Sequence, residues 1–118
     1  MPDAFPAVGH KYLVDFRSAT GARFRVQLDF ASETSLTYTG VDADGNLIPN
    51  SSETVDITVE PIRDQLFLVT WQESEGTTVV HLEDYKLNTI ITNITSPPTG
   101  AKAPPRFSKF HGTMTQIS

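Results

Sequence analysis

Between residues 24 and 30 the chain alternates without a break: Phe24, Val26, Leu28 and Phe30 share one parity, while Arg25, Gln27 and Asp29 share the other. A period of two places successive side chains on opposite faces of an extended strand, so one face of this segment is apolar and the other polar. Such a strand is stable only if its apolar face is covered by other strands or helices. The same period recurs along the chain. Residues 10–17, 35–39, 54–60, 65–73, 77–84, 86–95 and 107–117 form further runs rich in β-branched and aromatic residues, and no stretch carries a helical period.

The links between these runs are mostly short and turn-rich. Ser18-Ala19-Thr20-Gly21 joins the first two, and the glycines and Asp/Asn residues of 40–46 predict an exposed loop. Pro61 is expected to close the fourth strand, and the prolines of 96–106 to hold that segment out of any ladder. Gly112 is expected to mark a bulge or sharp bend. About eight strands in sequence order predict an all-β fold, a single antiparallel up-and-down barrel of the calycin or lipocalin-like kind, because closure removes exposed edges. A two-sheet sandwich is the alternative.

With 118 residues the chain has room for one core, expected as a single domain over residues 1–118 with the barrel over about 9–118. A net charge of −5 gives no basic footprint for nucleic acid. No apolar run approaches a membrane span, and residues 1–6 lack the pattern of a secretory leader. With no cysteine, thiolate chemistry and disulfides are excluded. The expectation is a cytoplasmic protein without a membrane or nucleic-acid partner; a homodimer through an outer barrel face stays open.

Alternation nominates the inner face. Tyr12, Val14 and Phe16 point inward on the first strand, Phe24 and Val26 on the second, and Tyr38 on the third as a phenol donor. On the fifth, Val69, Trp71 and Glu73 make an apolar stripe ending in a carboxylate. Desolvation beside aromatic walls raises a carboxyl pKa, so Glu73 is a candidate acid or base, against the plainer reading of a solvated hairpin-end carboxylate. His81 depends on register. A three-residue loop at 74–76 with left-handed Gly76 turns it inward; a two-residue turn sends it out and brings Val80 and Leu82 in. His10, His81 and His111 have no metal-ligand spacing, and no cofactor motif is present, so no metal or cofactor is expected.

The segment Val69-Thr70-Trp71-Gln72-Glu73-Ser74-Glu75-Gly76-Thr77-Thr78-Val79-Val80, preceded by Gly9-His10-Lys11-Tyr12 and Gly21-Ala22-Arg23-Phe24, resembles the small calycin-type barrels called MoaF-like domains. The closing Phe110-His111-Gly112-Thr113 suits the same pattern. More distantly, the hairpin is similar to that of bacterial phenolic acid decarboxylases. The resemblance implies a closed barrel with a central pocket. In the decarboxylases it implies a glutamate working with two tyrosines on the first strand and an arginine before the fourth. Glu73 matches the glutamate, whereas Val14 and Phe16 stand at the tyrosine positions and residues 46–53 contain no arginine. Only the barrel and Glu73 carry over.

Three functions follow as expectations. The first is a mostly apolar, aromatic pocket binding a small hydrophobic or aromatic ligand. The second is a cofactor-independent lyase, isomerase or cyclase with Glu73 as acid or base and His81 or Tyr38 assisting. The third is an interaction module whose barrel is filled solid. Whether the chain is an enzyme is left open by the sequence.

Overall fold

The alternating runs fold as eight antiparallel strands, β1 (Lys11–Arg17), β2 (Arg23–Ser32), β3 (Ser35–Val41), β4 (Glu53–Arg63), β5 (Leu66–Gln72), β6 (Thr78–Asp84), β7 (Thr89–Ser96) and β8 (Arg106–Gln116). Each pairs with its neighbours in sequence, and β8 returns to β1 to close a barrel in the order 1 to 8. The seam of closure runs from Tyr12 opposite Gln116 to Arg17 opposite His111. It rules out the sandwich alternative. The computed structural model describes residues 4–100 and 102–118. Residues 1–3, part of the segment read for a leader, and Ala101 of the proline-rich loop lie outside them. Among the described residues no helix is long and apolar enough to cross a membrane.

The β5–β6 hairpin adopts the three-residue loop. The Glu73 amide donates to the Thr77 carbonyl at 2.7 Å, the Gly76 amide to the Glu73 carbonyl at 2.9 Å, and Gly76 takes a φ of +101°. Val69 then stands opposite His81, and Val79, His81 and Glu83 all face inward.

Three local expectations are corrected. Pro61 does not end β4. The strand continues to Arg63 through a register shift between Pro61 and Arg63, the kind of irregularity at which a missing amide donor costs no ladder bond. β7 starts at Thr89 rather than 86, because Asp84 Oδ1 accepts the amides of Lys86 and Leu87, each at 2.9 Å, and Asn88 takes a φ of 57°. Gly112 makes no bulge, since its pairing with Phe16 and with Ile90 runs in register. The glycine is needed for close approach instead: a Cβ there would collide with the Asp15 carbonyl oxygen and stand 3.0 Å from the Phe16 ring.

The two barrel ends differ. Phe5 and Ala7, ahead of β1, are buried under one end. The Phe5 ring packs edge-on against Phe30 and Phe67 at 5.2 Å and Tyr85 at 5.6 Å. The chain is held there by the Gly9 amide donating to the Phe30 carbonyl at 2.8 Å. That segment is a plug.

Candidate functional site

At the opposite end the inward faces of β1, β2, β3, β5, β6 and β7 surround a cavity of about 120 Å³. Its apolar wall comes from Phe16, Phe24, Val26, Leu28, Trp71, Val79 and Ile94; its polar groups are Tyr38, Glu73, His81 and Thr92. A water molecule takes about 30 Å³ and a benzene-sized guest about 150 Å³. The space therefore suits a guest of one small ring, with room beyond it where Phe24 and Glu73 are partly exposed at the mouth.

Of the residues expected in a pocket, Phe16, Phe24, Val26, Tyr38, Trp71, Glu73 and His81 are brought together here. Tyr12, Val14 and Val69 are not. They are buried in the core, and the Tyr12 ring packs against Phe30 and Tyr85 near the plugged end. Lys102 and Arg106 of the proline-rich loop are exposed and do not line the cavity.

The mouth is carboxylate-rich. Tyr38 donates to Glu53 Oε1 at 2.9 Å, and Glu53 Oε2 accepts the Ser74 amide at 2.9 Å, tying β3 and β4 to the hairpin loop. These bonds, the Ser74 amide foremost, hold the Glu53 carboxyl below the usual range. Glu73 shifts the other way. Partial burial pushes its carboxyl up, with the neighbouring Glu75 adding to the effect, against the opposing hydrogen bond from Trp71 Nε1 at 3.2 Å. Burial, reinforced by the Glu53 hydrogen bond and the Glu73 charge, pushes the Tyr38 phenol well above its ordinary value, so it stays a donor.

Deeper in, a polar chain runs from the cavity toward the plug. His81 Nδ1 lies 2.8 Å from Glu83 Oε2, and the Tyr85 hydroxyl donates to Glu83 Oε1 at 2.6 Å. His81 is 3% exposed and Glu83 0%. A buried carboxyl group has to be hydrogen-bonded, and both oxygens of this one are. Burial, followed by the charge of Glu83, raises the Tyr85 phenol far above its solution value. The His81 ring meets Trp71 edge-on at 4.6 Å, which fixes its orientation from the side.

Thr92, directly opposite His81 on β7, is fully buried, and its hydroxyl has no hydrogen-bond partner among the described residues. An unpaired buried hydroxyl costs about 1–3 kcal/mol. Sequence reasoning missed both Glu83 and Thr92. Glu83 shares the parity of His81, so the hairpin register would have found it; Thr92 needs the β6–β7 register as well, which no turn signal supplies.

Among the described residues no group of three His, Cys, Asp or Glu side chains is arranged to hold a metal ion. A second depression of about 150 Å³ lies by Arg23, Arg25 and the 41–43 segment, but both guanidinium groups are committed to Asp15, at 2.7 and 3.6 Å.

Fold and cavity define a closed eight-stranded antiparallel barrel, plugged at one end and hollow at the other. The MoaF-like family model matches residues 8–115, nearly the whole chain, and the chain belongs to that family. No curated protein matches it. Among solved structures, a protein from Burkholderia vietnamiensis described as a "putative beta-lactamase" is similar over 95% of this chain and 96% of its own, with a TM-score of 0.72 and 20% identity. At that identity the likeness shows the fold alone.

Proposed function

We propose that this barrel binds a compact, uncharged and largely apolar small molecule through its open end. The observation that carries the reading is the cavity of about 120 Å³ with an aromatic and aliphatic wall and a few converging polar groups, the usual make-up of a small-molecule site. Its size speaks against a solid-core module. Among the described residues the lining contains Glu73 and no Lys or Arg, so an anionic guest would meet a carboxylate with no cation to offset it. Trp71, the single tryptophan, lies in the wall and reports occupancy. Titration with benzyl alcohol, benzoate and benzylamine, read by Trp71 fluorescence and thermal shift, is expected to give saturable quenching with the alcohol and none with benzoate. Flat responses across these and a broader library of neutral ring compounds would defeat the proposal.

Acid/base catalysis is the second reading, favoured by Glu73 lining the same cavity with its carboxyl pushed up by burial. In that case Glu73→Gln keeps ligand affinity and loses turnover of the bound compound; undiminished turnover sinks it. The neighbour's description offers no reaction for this chain, because the lining holds no serine and the Thr92 hydroxyl is not hydrogen-bonded to His81.

A further inference from the structure

The floor of the cavity holds a polar pair that the barrel leaves unsatisfied. His81 and Thr92 are directly opposed across β6 and β7, and both side chains line the cavity. In an antiparallel ladder such partners have Cβ atoms roughly 5 Å apart, so one guest atom can reach both. With Glu83 as a carboxylate, which only accepts hydrogen bonds, His81 Nδ1 is the donor in their 2.8 Å contact. In its neutral form the ring then offers a lone pair at Nε2, which has no hydrogen-bond partner among the described residues. The Thr92 hydroxyl, equally without a partner, can donate.

We propose that His81 and Thr92 recognise a hydroxyl group on the guest, which donates to His81 Nε2 and accepts from Thr92 Oγ1, with Glu83 and Tyr85 as positioning residues for the imidazole. The inference rests on reading the cavity as a ligand site. The chemistry selects among polar groups. A carbonyl accepts from Thr92 but leaves Nε2 unpaired. A carboxylate brings charge toward Glu73 and Glu83 with no compensating cation in the lining. A single hydroxyl oxygen answers both groups at once.

The test uses the intact chain and three ring compounds of similar size, cyclohexanol, cyclohexanone and methylcyclohexane, titrated against Trp71 fluorescence. Cyclohexanol is expected to bind about tenfold more tightly than the other two, the usual net worth of well-made buried hydrogen bonds. Thr92→Val, nearly isosteric, should weaken cyclohexanol and cyclohexanone alike while keeping methylcyclohexane affinity, which also shows that the variant is folded. Glu83→Gln provides a readout that a merely structural role would not move. An amide can donate to Nδ1, letting the proton settle on Nε2, so selectivity should turn from cyclohexanol toward cyclohexanone. If the three compounds bind the unmodified chain equally and Thr92→Val changes nothing, hydroxyl recognition is overturned and the ligand site stands. If none of them binds, the ligand-site reading falls with it.

Discussion

Single polar side chains at both depths of the cavity bear on stability. Thr92 keeps a buried, unpartnered hydroxyl where a methyl group of the same shape would fit. Thr92→Val is therefore expected to stabilise the unliganded protein by about 1 kcal/mol, a rise in Tm of roughly 5 °C by differential scanning calorimetry. An unchanged or lowered Tm would show the hydroxyl to be satisfied. At the mouth, Glu73 and Glu53 titrate in opposite senses. Glu73, with its folded pKa raised, contributes stability below the usual carboxylate value and loses it as pH rises through its folded value. Glu53, with its folded pKa lowered, contributes above the usual value and loses it as pH falls through the lower one. Glu73→Gln should thus raise Tm at pH 7 by roughly 2 °C and leave it unchanged near pH 4, because both side chains are then neutral in the folded protein. Glu53→Gln should lower Tm at neutral pH and converge with the parent only in stronger acid. Equal shifts at all pH values for Glu73→Gln would mean that its carboxylate is not desolvated.

Between elements, the tightest constraint is the approach of β8 to β1 at Gly112. No rotamer can relieve a clash between a Cβ and the Asp15 carbonyl oxygen, so the two strands have to separate locally. Gly112→Ala is expected to cost about 2–3 kcal/mol, typical of overpacking, and to lower Tm by roughly 10 °C. A shift under about 2 °C would show that the seam yields freely. The sequence carried a glycine signal here, but period and turn chemistry alone do not distinguish a bulge from a close approach. β2 was legible because its alternation from Phe24 to Phe30 is unbroken. The far half of β4 was not, because Pro61 reads as a stop wherever the pairing partner is unknown. The upper cavity was legible through the inward parity of Phe16, Phe24, Val26, Tyr38, Trp71 and Glu73. Its floor was not: Glu83 and Thr92 acquire meaning only once two hairpin registers bring them beside His81. Phe5 and Ala7 lie in a segment without period, so nothing local announced the plug.

At the scale of the whole barrel, closing one end and leaving the other hollow separates stability from binding. Phe5 is 4% exposed and contacts three aromatic rings from β2, β5 and the β6–β7 turn, so it joins β2 to the β5–β6 side of the wall, with which β2 does not pair. Phe24, at the hollow end, is 36% exposed and touches Phe16 and Phe110, each at 4.8 Å between ring centres. Truncating a buried phenylalanine costs about 3–5 kcal/mol, much of it from the cavity left behind; a partly solvated ring has less to lose, since water already reaches it. Phe5→Ala should therefore lower Tm by more than about 10 °C while leaving the affinity of a ring-sized guest near its original value, provided binding is measured well below the new Tm. Phe24→Ala should do the reverse, with a Tm change of a few degrees at most and a clear loss of affinity, because it removes a wall of the mouth rather than a tie across the barrel. Paired calorimetry and fluorescence titration on the two variants decide the point. Should Phe5→Ala weaken binding as much as Phe24→Ala, the ends are mechanically coupled, and the plug shapes the cavity as well as sealing the barrel beneath it.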